Sequence, residues 1–569
     1  MKKNKYIGIA MMSAGMLAAT SCSDFSDYNE APVDAAASGN KTLWENISEN
    51  PQLSDFAALV TRAGFQQELL NARSYTVWAP VNGSFNVSAY DGLSADDLLQ
   101  QFVKSHVAEY SHNATGYLNE RVHTLNEKSF TFAGDGSYTY DGVTVSLPNQ
   151  PSNNGIMHLI DGAAQYYPNL YEYLRMADDI DSLRNYFLRY ELTTLDQDAS
   201  VKGPMVDGVQ TYIDSVMVTS NSLLRTLNAK IENEDSSYTF LMPTNTAYLD
   251  LYKTVKKKFN FITKTTVLDA TNLSLATATT SKSVSVDPAY MSDSLSRMAI
   301  ARHLIFSNND GYNMWLTGTP SYLGSDTLRT TTRSKLSNPT ELLAQTRGEA
   351  VKMSNGAARI VDSLAFRPWE VYCPEIDAYF SNYLGSYFTA YIHNVHATNM
   401  DYVFGPELED FRYLWIEPSG PYAKPDFYLT LPNVQSTTYK FYAVFLPAAR
   451  MANDTLPNKL NFSLSYCAAN GNLATYNFSA QEGDNNPKTL NMNTAYENNP
   501  YVTDTLYLGE FTFPVCYRGL GNDYFPSIHV TSPINVFNKT QMASYTRDVR
   551  MWAIIMKPVE LVEFEEKNK

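Results

Sequence analysis

A twelve-residue phrase that occurs twice constrains the fold of this chain more than any other feature. It reads SYTVWAPVNGSF at residues 74–85 and SYTFLMPTNTAY at residues 237–248, with five identical positions. In both copies a run of β-branched and aromatic residues stops at a proline, which cannot donate to a strand ladder, and an asparagine that favours turns follows. Each copy therefore predicts a strand, a turn and the start of a helix.

Two further landmarks follow each copy in the same order. The first is a histidine in an apolar setting, His106 in one copy and His303 in the other. The second reads NGIMHLID at residues 154–161 and NGAARIVD at residues 355–362. Three landmarks in one order indicate a duplicated domain. The first serine and the histidine are 32 residues apart in the first copy and 66 in the second, which predicts an insertion in the second copy.

These landmarks resemble the first box, the central histidine motif and the second box of fasciclin domains. The resemblance covers residues 42–166 closely and residues 167–366 more loosely, because Leu241 and Met242 stand where the family has an aromatic residue and an alanine. It implies two α+β domains that serve adhesion or protein interaction. It also implies that the two histidines pack and hydrogen-bond rather than catalyse.

Local patterns predict the elements of these domains. Residues 42–45 have the sequence of a capping box, an apolar stripe predicts a helix over residues 94–107, and β-branched and aromatic runs predict a meander of short strands over residues 130–145. We expect the lysine cluster at residues 253–258 to form a solvated helix face or, alternatively, to touch an acidic partner. The Thr- and Ser-rich residues 270–286 predict an exposed hairpin or loop.

The pattern changes to strands at residue 367. Runs rich in β-branched and aromatic residues alternate there with Gly, Asn and Pro, and six or more such runs over about 200 residues predict an antiparallel sandwich. Residues 550–558 resemble the final strand of a jelly-roll or galactose-binding-like module. The predicted fold class is therefore a multidomain α+β protein, with two fasciclin-like domains followed by an antiparallel β-sandwich at residues 367–569.

The N-terminus has the pattern of a targeting segment. Three lysines precede an apolar run up to Thr20 that is too short to cross a bilayer, so residues 1–21 predict a signal peptide. Small residues stand directly before Cys22, and this resembles a bacterial lipobox with Cys22 as the lipidated residue; an ordinary signal peptide is the alternative. Residues 23–27 resemble the acidic export signal of lipoproteins on the outer face of the outer membrane. We expect residues 22–41 to be a lipid-anchored, flexible tether facing the cell exterior.

The sequence contains few motifs that are typical of catalytic or ligand-binding sites. It lacks the P-loop, nucleophile-elbow, zinc-protease and EF-hand motifs, and a net charge of −16 argues against nucleic-acid binding. His393 and His396 would share a face on a helix and could bind metal there, whereas a strand would turn them to opposite faces. We therefore predict no catalytic residue, no metal site and no cofactor.

Two possible modifications stay open at this point. Cys373, Cys467 and Cys516 remain beside the lipidated cysteine, and they form either one disulfide with an odd thiol or three buried free thiols. Asp followed by Ser or Thr and then Leu or Val occurs seven times, which resembles an O-glycosylation sequon of exported bacterial proteins. Helix caps and turns are the alternative reason for that pattern.

Three functions are consistent with these patterns. The main hypothesis is a non-enzymatic surface lipoprotein that accompanies a TonB-dependent transporter and its partner lipoprotein, as lipoproteins of the starch-utilisation type do, and that captures a glycan or peptide. Trp369, Tyr413 and Trp415 lie in loop-like sequence and are the candidate ligand-binding residues, with core packing as the alternative. The second hypothesis is an adhesin or structural protein that binds proteins or matrix, and the third is a hydrolase. An aromatic platform in an open groove would favour the first, a broad apolar patch the second, and facing buried carboxylates the third.

Overall fold

The structure, a computed structural model, describes residues 39–569 apart from 207, 271–279, 320–322, 325, 380–386, 389 and 399–409, and it describes no side chain from 387 to 412. The described residues form two compact units. One contains residues up to 176 with 231–237 and 351–357, and the other contains 177–230, 238–350 and 358–569. The predicted signal peptide and Cys22 lie outside the described residues. None of the described helices is long and apolar enough to cross a bilayer.

The first unit is built on a seven-stranded sheet. Its strands lie in the order β2-β1-β7-β6-β5-β4-β3, and β1 and β7 pair in parallel whereas the other neighbours pair antiparallel. The strands are β1 (Tyr75–Pro80), β2 (Val107–Glu109), β3 (Tyr117–His123), β4 (Ser129–Asp135), β5 (Ser137–Tyr140), β6 (Val143–Ser152) and β7 (Gly155–Ile160). The strand predicted at the first phrase and the predicted meander are both confirmed.

Both faces of β1 are buried, which explains its unbroken apolar sequence. Tyr75, Val77 and Ala79 belong to a core cluster with the helices before the sheet, whereas Trp78 belongs to a second cluster. Trp78 stacks on Tyr140 with ring centroids 4.3 Å apart. The alternation follows from the two-residue period of a strand. The helices of this unit are Leu43–Ser48, Ser54–Arg62, Gln66–Leu70, Ala95–Leu98 and Leu170–Met176.

The capping box is confirmed, but the helix predicted over residues 94–107 is wrong as one continuous α-helix. Thr42 and Glu45 exchange the two reciprocal bonds of a capping box. The later segment changes from an α-turn at Ala95–Leu98 to a π-turn at Leu99–Val103 and a 3-10 turn that ends at His106. The Nδ1 of His106 lies 2.7 Å from the carbonyl of Phe102, four residues earlier, and therefore occupies an acceptor that a regular helix would use.

The second copy of the phrase forms a buried strand followed directly by a helix, as predicted. The helix start predicted for the first copy is wrong, because turns follow β1 and lead only to a 3-10 helix at Val87–Tyr90. Strand β10 (Tyr238–Pro243) lies between β13 (Ile305–Ser307) and β17 (Gly356–Val361). Asn245 accepts a bond from the N–H of Ser182 at 2.8 Å, just as Asn82 accepts one from Asp55 at 2.9 Å. The helices around this copy are Asp181–Leu188, Ser222–Thr226, Asn245–Lys256, Pro288–Ala301 and Pro339–Ala344. The short strands are β14 (Leu328–Arg329), β15 (Lys335–Leu336) and β16 (Val351–Met353).

Two hairpins extend the second copy. Strands β11 (Lys264–Leu268) and β12 (Ser281–Ser285) pair antiparallel, and residues 271–279 between them are not described. Only β12 lies in the Thr- and Ser-rich segment predicted as a hairpin or loop, since β11 precedes that segment. Strands β8 (Glu191–Val206) and β9 (Val209–Asn221) form a much longer hairpin that the sequence did not predict. Its apolar side chains are exposed, with Ile213 76% accessible.

The C-terminal part of the second unit contains two antiparallel sheets. One has the order β20-β21-β29-β23-β27 with β18 beside β29, and the other has the order β19-β22-β28-β24-β25 with β26 beside β24. Phe511 of the first sheet lies against Tyr466 and Tyr476 of the second, at centroid distances of 4.6 and 5.0 Å. The sheets therefore pack face to face through aromatic side chains.

The elements of this part are as follows. The strands are β18 (Ile376–Tyr379), β19 (Tyr387–Phe388), β20 (Ala390–Thr398), β21 (Asp410–Pro418), β22 (Asp426–Thr430), β23 (Thr438–Phe445), β24 (Lys459–Cys467), β25 (Leu473–Asn477), β26 (Tyr496–Glu497), β27 (Asp504–Thr512), β28 (Ser527–Thr531) and β29 (Val549–Pro558). The helices are Pro368–Val371, Ala448–Ala452, Lys539–Ser544 and Val559–Lys567.

Candidate functional site

The three aromatic residues singled out from the sequence do not lie in loops. Tyr413 and Trp415 belong to strand β21, which pairs with β20 and β29, and Trp369 belongs to the short helix Pro368–Val371. Tyr413 is buried. The ring of Trp369 lies 4.9 Å from that of Phe564, and the indole N–H of Trp415 donates to Asp548. The packing role that the sequence left open fits these positions.

An open cleft of about 520 Å³ lies instead at one end of the two C-terminal sheets. Strand β25, the loop at residues 479–485 and strand β27 form its walls. Three tyrosines line it: Tyr476 at the end of β25, Tyr496 on β26 and Tyr507 on β27. Tyr496 is buried, whereas Tyr507 is 46% exposed. The cleft therefore combines the exposed ring of Tyr507 and the half-buried ring of Tyr476 with a polar loop.

A bulge in β27 sets the position of Tyr507. Phe441 pairs with Gly509 whereas Tyr442 pairs with Tyr507, so Leu508 is an extra residue between them. Bulges of this kind re-aim the neighbouring side chains. Gly509 has φ +138°, and a Cβ there would lie 3.3 Å from Phe478, so the close approach of β27 to Phe478 favours glycine. The ring of Tyr507 then lies 5.4 Å from that of Tyr442, which supports it from the side.

The loop opposite is held by its own hydrogen bonds. Asp484 donates its N–H to the carbonyl of Gln481 at 3.2 Å, and the hydroxyl of Ser479 lies 3.4 Å from the Asp484 carboxylate. Ala480 donates to the carbonyl of Thr494 at 3.0 Å. These bonds leave the side chains of Gln481 and Glu482 exposed and without partners among the described residues. The loop thus presents a free amide and a free carboxylate to the cleft.

The polar groups of the cleft suit hydrogen bonding to a neutral ligand. Partial burial, with smaller contributions from Glu510, Tyr442 and Tyr476, raises the pKa of Tyr507 to about 12, so its hydroxyl stays protonated and donates at neutral pH. Glu482 and Glu510 are exposed, so neither carboxylate is desolvated. The cleft can bind by stacking and hydrogen bonding.

The histidines of the two copies are buried and hydrogen-bonded, as the fasciclin resemblance implies. His106 binds the carbonyl of Phe102 through Nδ1 and accepts the N–H of Ala164 through Nε2 at 3.0 Å. His303 makes the corresponding Nδ1 contact with the carbonyl of Ala299 at 2.7 Å. Burial lowers the pKa of both histidines to about 4, so both are neutral at physiological pH.

The structure describes only some of the other residues that the sequence singled out: the histidine pair, the three cysteines and the lysine cluster. His393 and His396 lie on strand β20, and their side chains are outside the description. Cys373, Cys467 and Cys516 are free and buried, which settles the choice that the sequence left open in favour of thiols. Among the described residues no cluster of His, Cys, Asp and Glu has metal-binding geometry. Of the lysine cluster, Lys253 is on an exposed helix face, whereas Lys258 donates to Thr437 at 2.7 Å and pairs with Glu560.

Residues 51–164 match the family model described as the Fasciclin domain. A solved FAS1 domain pair from the insect cell adhesion molecule Fasciclin I covers 58% of this chain and 97% of its own, with 13% identity and a TM-score of 0.18. The CBM22-1 xylan-binding domain of Paenibacillus barcinonensis Xyn10C covers 32% of this chain and 93% of its own, with 10% identity and a TM-score of 0.19. No curated protein sequence matches the chain. Residues 51–164 are therefore a fasciclin domain, and domains of this family are typically adhesion or interaction modules.

Proposed function

We propose that this protein is a non-enzymatic, lipid-anchored binding protein on the outer face of the bacterial outer membrane, and that the cleft between β25 and β27 holds a neutral glycan. The observation that carries the proposal is the pairing of Tyr476 and Tyr507 with the polar loop at residues 479–485. Aromatic rings bind the apolar face of a sugar, and amides, carboxylates and hydroxyls bind its hydroxyl groups. The volume of about 520 Å³ lies within the usual range of ligand pockets.

Direct binding tests the glycan proposal. Isothermal titration calorimetry with neutral xylo-, malto- and manno-oligosaccharides should show saturable binding of at least one series. Tyr507→Ala should weaken that binding at least tenfold, because the exposed ring supplies the stacking surface. Tyr501→Ala is the matched control, since Tyr501 is 55% exposed and does not line the cleft. Equal binding by both variants would exclude the cleft as the glycan site.

The architecture that we propose is a fasciclin domain, a second fasciclin-like domain at residues 167–366 and a jelly-roll or galactose-binding-like sandwich at residues 367–569. Support for the second domain comes from repeated hydrogen bonds. Asn82 donates its N–H to the carbonyl of Gln52 at 2.8 Å, three residues before Asp55, and Asn245 donates its N–H to the carbonyl of Asp179 at 2.7 Å, three residues before Ser182. The two face-packed antiparallel sheets support the third domain.

The proposed anchor is a lipid on Cys22, and the proposed partners are a TonB-dependent transporter and its partner lipoprotein. Globomycin treatment or Cys22→Ser should leave the signal peptide uncleaved and abolish labelling with a palmitate analogue. Gentle extraction from outer membranes followed by mass spectrometry should recover the transporter and its lipoprotein in near-equal amounts. Recovery of this protein alone would remove the transporter from the proposal without affecting the glycan test.

A second candidate function is adhesion through a protein partner. The hairpin β8–β9 favours it, because Leu192, Met205 and Ile213 are each more than 60% exposed there. Exposed apolar groups of this kind occur at protein interaction surfaces. Co-purification of a matrix or surface protein, lost on replacing these three residues by Thr, would favour adhesion over uptake.

A further inference from the structure

A second cavity, of about 290 Å³, lies beside His303 and shares no residue with the aromatic cleft. The helix Pro288–Ala301 and the residues after it supply Arg302 and His303, and the loop after β27 supplies Arg518. Thr332, Ser334 and Glu370 complete its polar lining. Two arginines and a histidine thus line one small space.

Neither arginine of this cavity has a counter-ion in the part of the chain that the structure describes. Among the described residues, no acidic side chain pairs with Arg302 or Arg518 and no side-chain hydrogen bond is made by either guanidinium. The chain has 59 acidic and 43 basic residues, so acids for pairing are abundant. Burial, and to a smaller extent the like charge of Arg302, lowers the pKa of Arg518. Arg302 is exposed, whereas Arg518 is partly buried. A partly buried arginine without a partner is costly, because the desolvation of a charge is normally offset by a counter-ion.

Glu370 is the one acidic residue among the described lining residues, and it does not neutralise Arg302 and Arg518. Glu370 accepts the N–H of Ser337 at 3.2 Å and also its hydroxyl, and its carboxylate lies 3.7 Å from Arg367. The two carboxylate oxygens of Glu370 therefore bind Ser337 and Arg367 rather than Arg302 or Arg518. The cavity keeps a net positive character.

The histidine here differs from its counterpart in the first copy. In the first copy the N–H of Ala164 donates a hydrogen bond to the Nε2 of His106. The Nε2 of His303 has no partner among the described residues, although the side chain is only 4% exposed. The hydroxyl of Ser334 is also without a partner in the described part of the chain, whereas that of Thr332 donates to the carbonyl of Arg302 at 2.9 Å. The Nε2 of His303 and the hydroxyl of the partly buried Ser334 are therefore available to a ligand in the cavity.

We propose that this cavity binds a small molecule through an oxyanion, a carboxylate or a phosphate, held between Arg302 and Arg518. Guanidinium groups bind such oxyanions with paired, charge-assisted hydrogen bonds, and the hydroxyl of Ser334 adds a donor. The volume corresponds to about ten waters at roughly 30 Å³ each, which fits a monosaccharide acid or an organic acid of similar size. The loop that carries Arg518 is fixed for this role, since Cys516 donates to the carbonyl of Asn260 at 2.7 Å and Arg518 donates to that of Val434 at 3.1 Å.

Calorimetry at constant ionic strength tests the site with acetate, D-glucuronate and inorganic phosphate as probes. The full chain should bind at least one probe saturably with one site, and the probe that binds identifies carboxylate or phosphate as the preferred group. Arg302→Gln and Arg518→Gln should each weaken binding at least tenfold. Arg225→Gln is the control, because Arg225 is exposed on another helix and lines neither cavity. Saturable binding that Arg518→Gln leaves unchanged, or no saturable binding by the wild type, would overturn the proposal.

Two measurements guard against misfolded variants. Arg518→Gln without anion should melt at or above the wild-type temperature, because it removes an unpaired charge, and saturating anion should raise the melting temperature of the wild type but not of the variant. Wild-type crystals soaked in selenate should show an anomalous peak between the two arginines. Selenate peaks at other places with none in this cavity would also overturn the proposal.

Discussion

Asn154 and Asn355, 201 positions apart, make the same three hydrogen bonds in the two copies of the repeat. Asn154 accepts the N–H of Leu43 at 2.7 Å and donates to the carbonyls of Leu69 and Asn71 at 2.9 and 2.7 Å. Asn355 accepts the N–H of Leu170 at 2.9 Å and donates to the carbonyls of Ile231 and Asn233 at 2.7 and 3.1 Å. In each copy one amide therefore ties the first helix to the chain that enters the central strand.

Replacing Asn355 by Ala should destabilise the protein by about 3 kcal/mol, because it leaves one buried N–H and two carbonyls without their partner. Asn355 is 2% exposed, so water cannot replace the amide without rearrangement. Differential scanning calorimetry measures the change. Asn493→Ala is the control, since that side chain is exposed and has no partner among the described residues. A shift no larger than that of the control would show that the three bonds contribute little.

The buried Lys128 offers a second test. Its ammonium lies 2.7 Å from Glu172 and 2.6 Å from Glu234, and the side chain is only 4% exposed. Lys128→Met should cost about 3 kcal/mol or more, because two carboxylates lose their counter-ion. Adding Glu234→Gln to that variant should restore part of the loss. Chemical denaturation of the single and double variants gives the comparison, and a double variant that is less stable than Lys128→Met would contradict it.

The sequence predicts most of what is local in this fold. The duplicated phrases, the capping box and the Asn-Gly landmark each carry their own physical reason. At Gly155, for example, φ is +152° and a Cβ would lie 2.0 Å from the carbonyl oxygen of Tyr75, so the residue after Asn154 must be glycine. Such constraints act within a few residues or within one strand pair, so they can be recognised in a single sequence.

The hairpin β8–β9 and the aromatic cleft depend on contacts between residues that are far apart in the sequence. The hairpin contains Gly203 and Pro204, a pair that is typical of a loop. The strands pair in spite of these two residues, because the register shifts at several places between Asp196 and Met205. The cleft needs Tyr476 and Tyr507 to meet across two sheets, and nothing distinguishes them among forty tyrosines in the sequence. Its only local signal is the glycine at position 509, inside a strand pattern.

Stability should fall with acid because of the buried histidines. Burial lowers the pKa of His106 and His303 to about 4, whereas an unfolded histidine has a pKa near 6.5. Between these values the unfolded state binds more protons than the folded state, so the free energy of unfolding decreases as the pH falls from 6.5 towards 4. His106 should contribute about 2 kcal/mol of this loss at pH 5.

Urea unfolding at pH 7 and pH 5 measures this effect. His106→Asn should be less stable than the wild type at pH 7 but should lose less stability on acidification. His123→Gln is the control, because His123 is exposed. An unchanged pH dependence in His106→Asn would mean that this histidine does not titrate differently in the two states.

The three buried thiols should be unreactive until the protein unfolds. Burial raises the pKa of Cys373 to about 11 and that of Cys516 to about 12, and it also raises the pKa of Cys467, so almost no thiolate is present at pH 7.5. Iodoacetamide should label none of them in the native mature protein within the time that labels a free cysteine completely. In 6 M guanidinium chloride without reductant all three should be labelled, and intact-mass spectrometry counts the adducts. Only one adduct under those conditions would mean that two of the cysteines form a disulfide in the isolated protein.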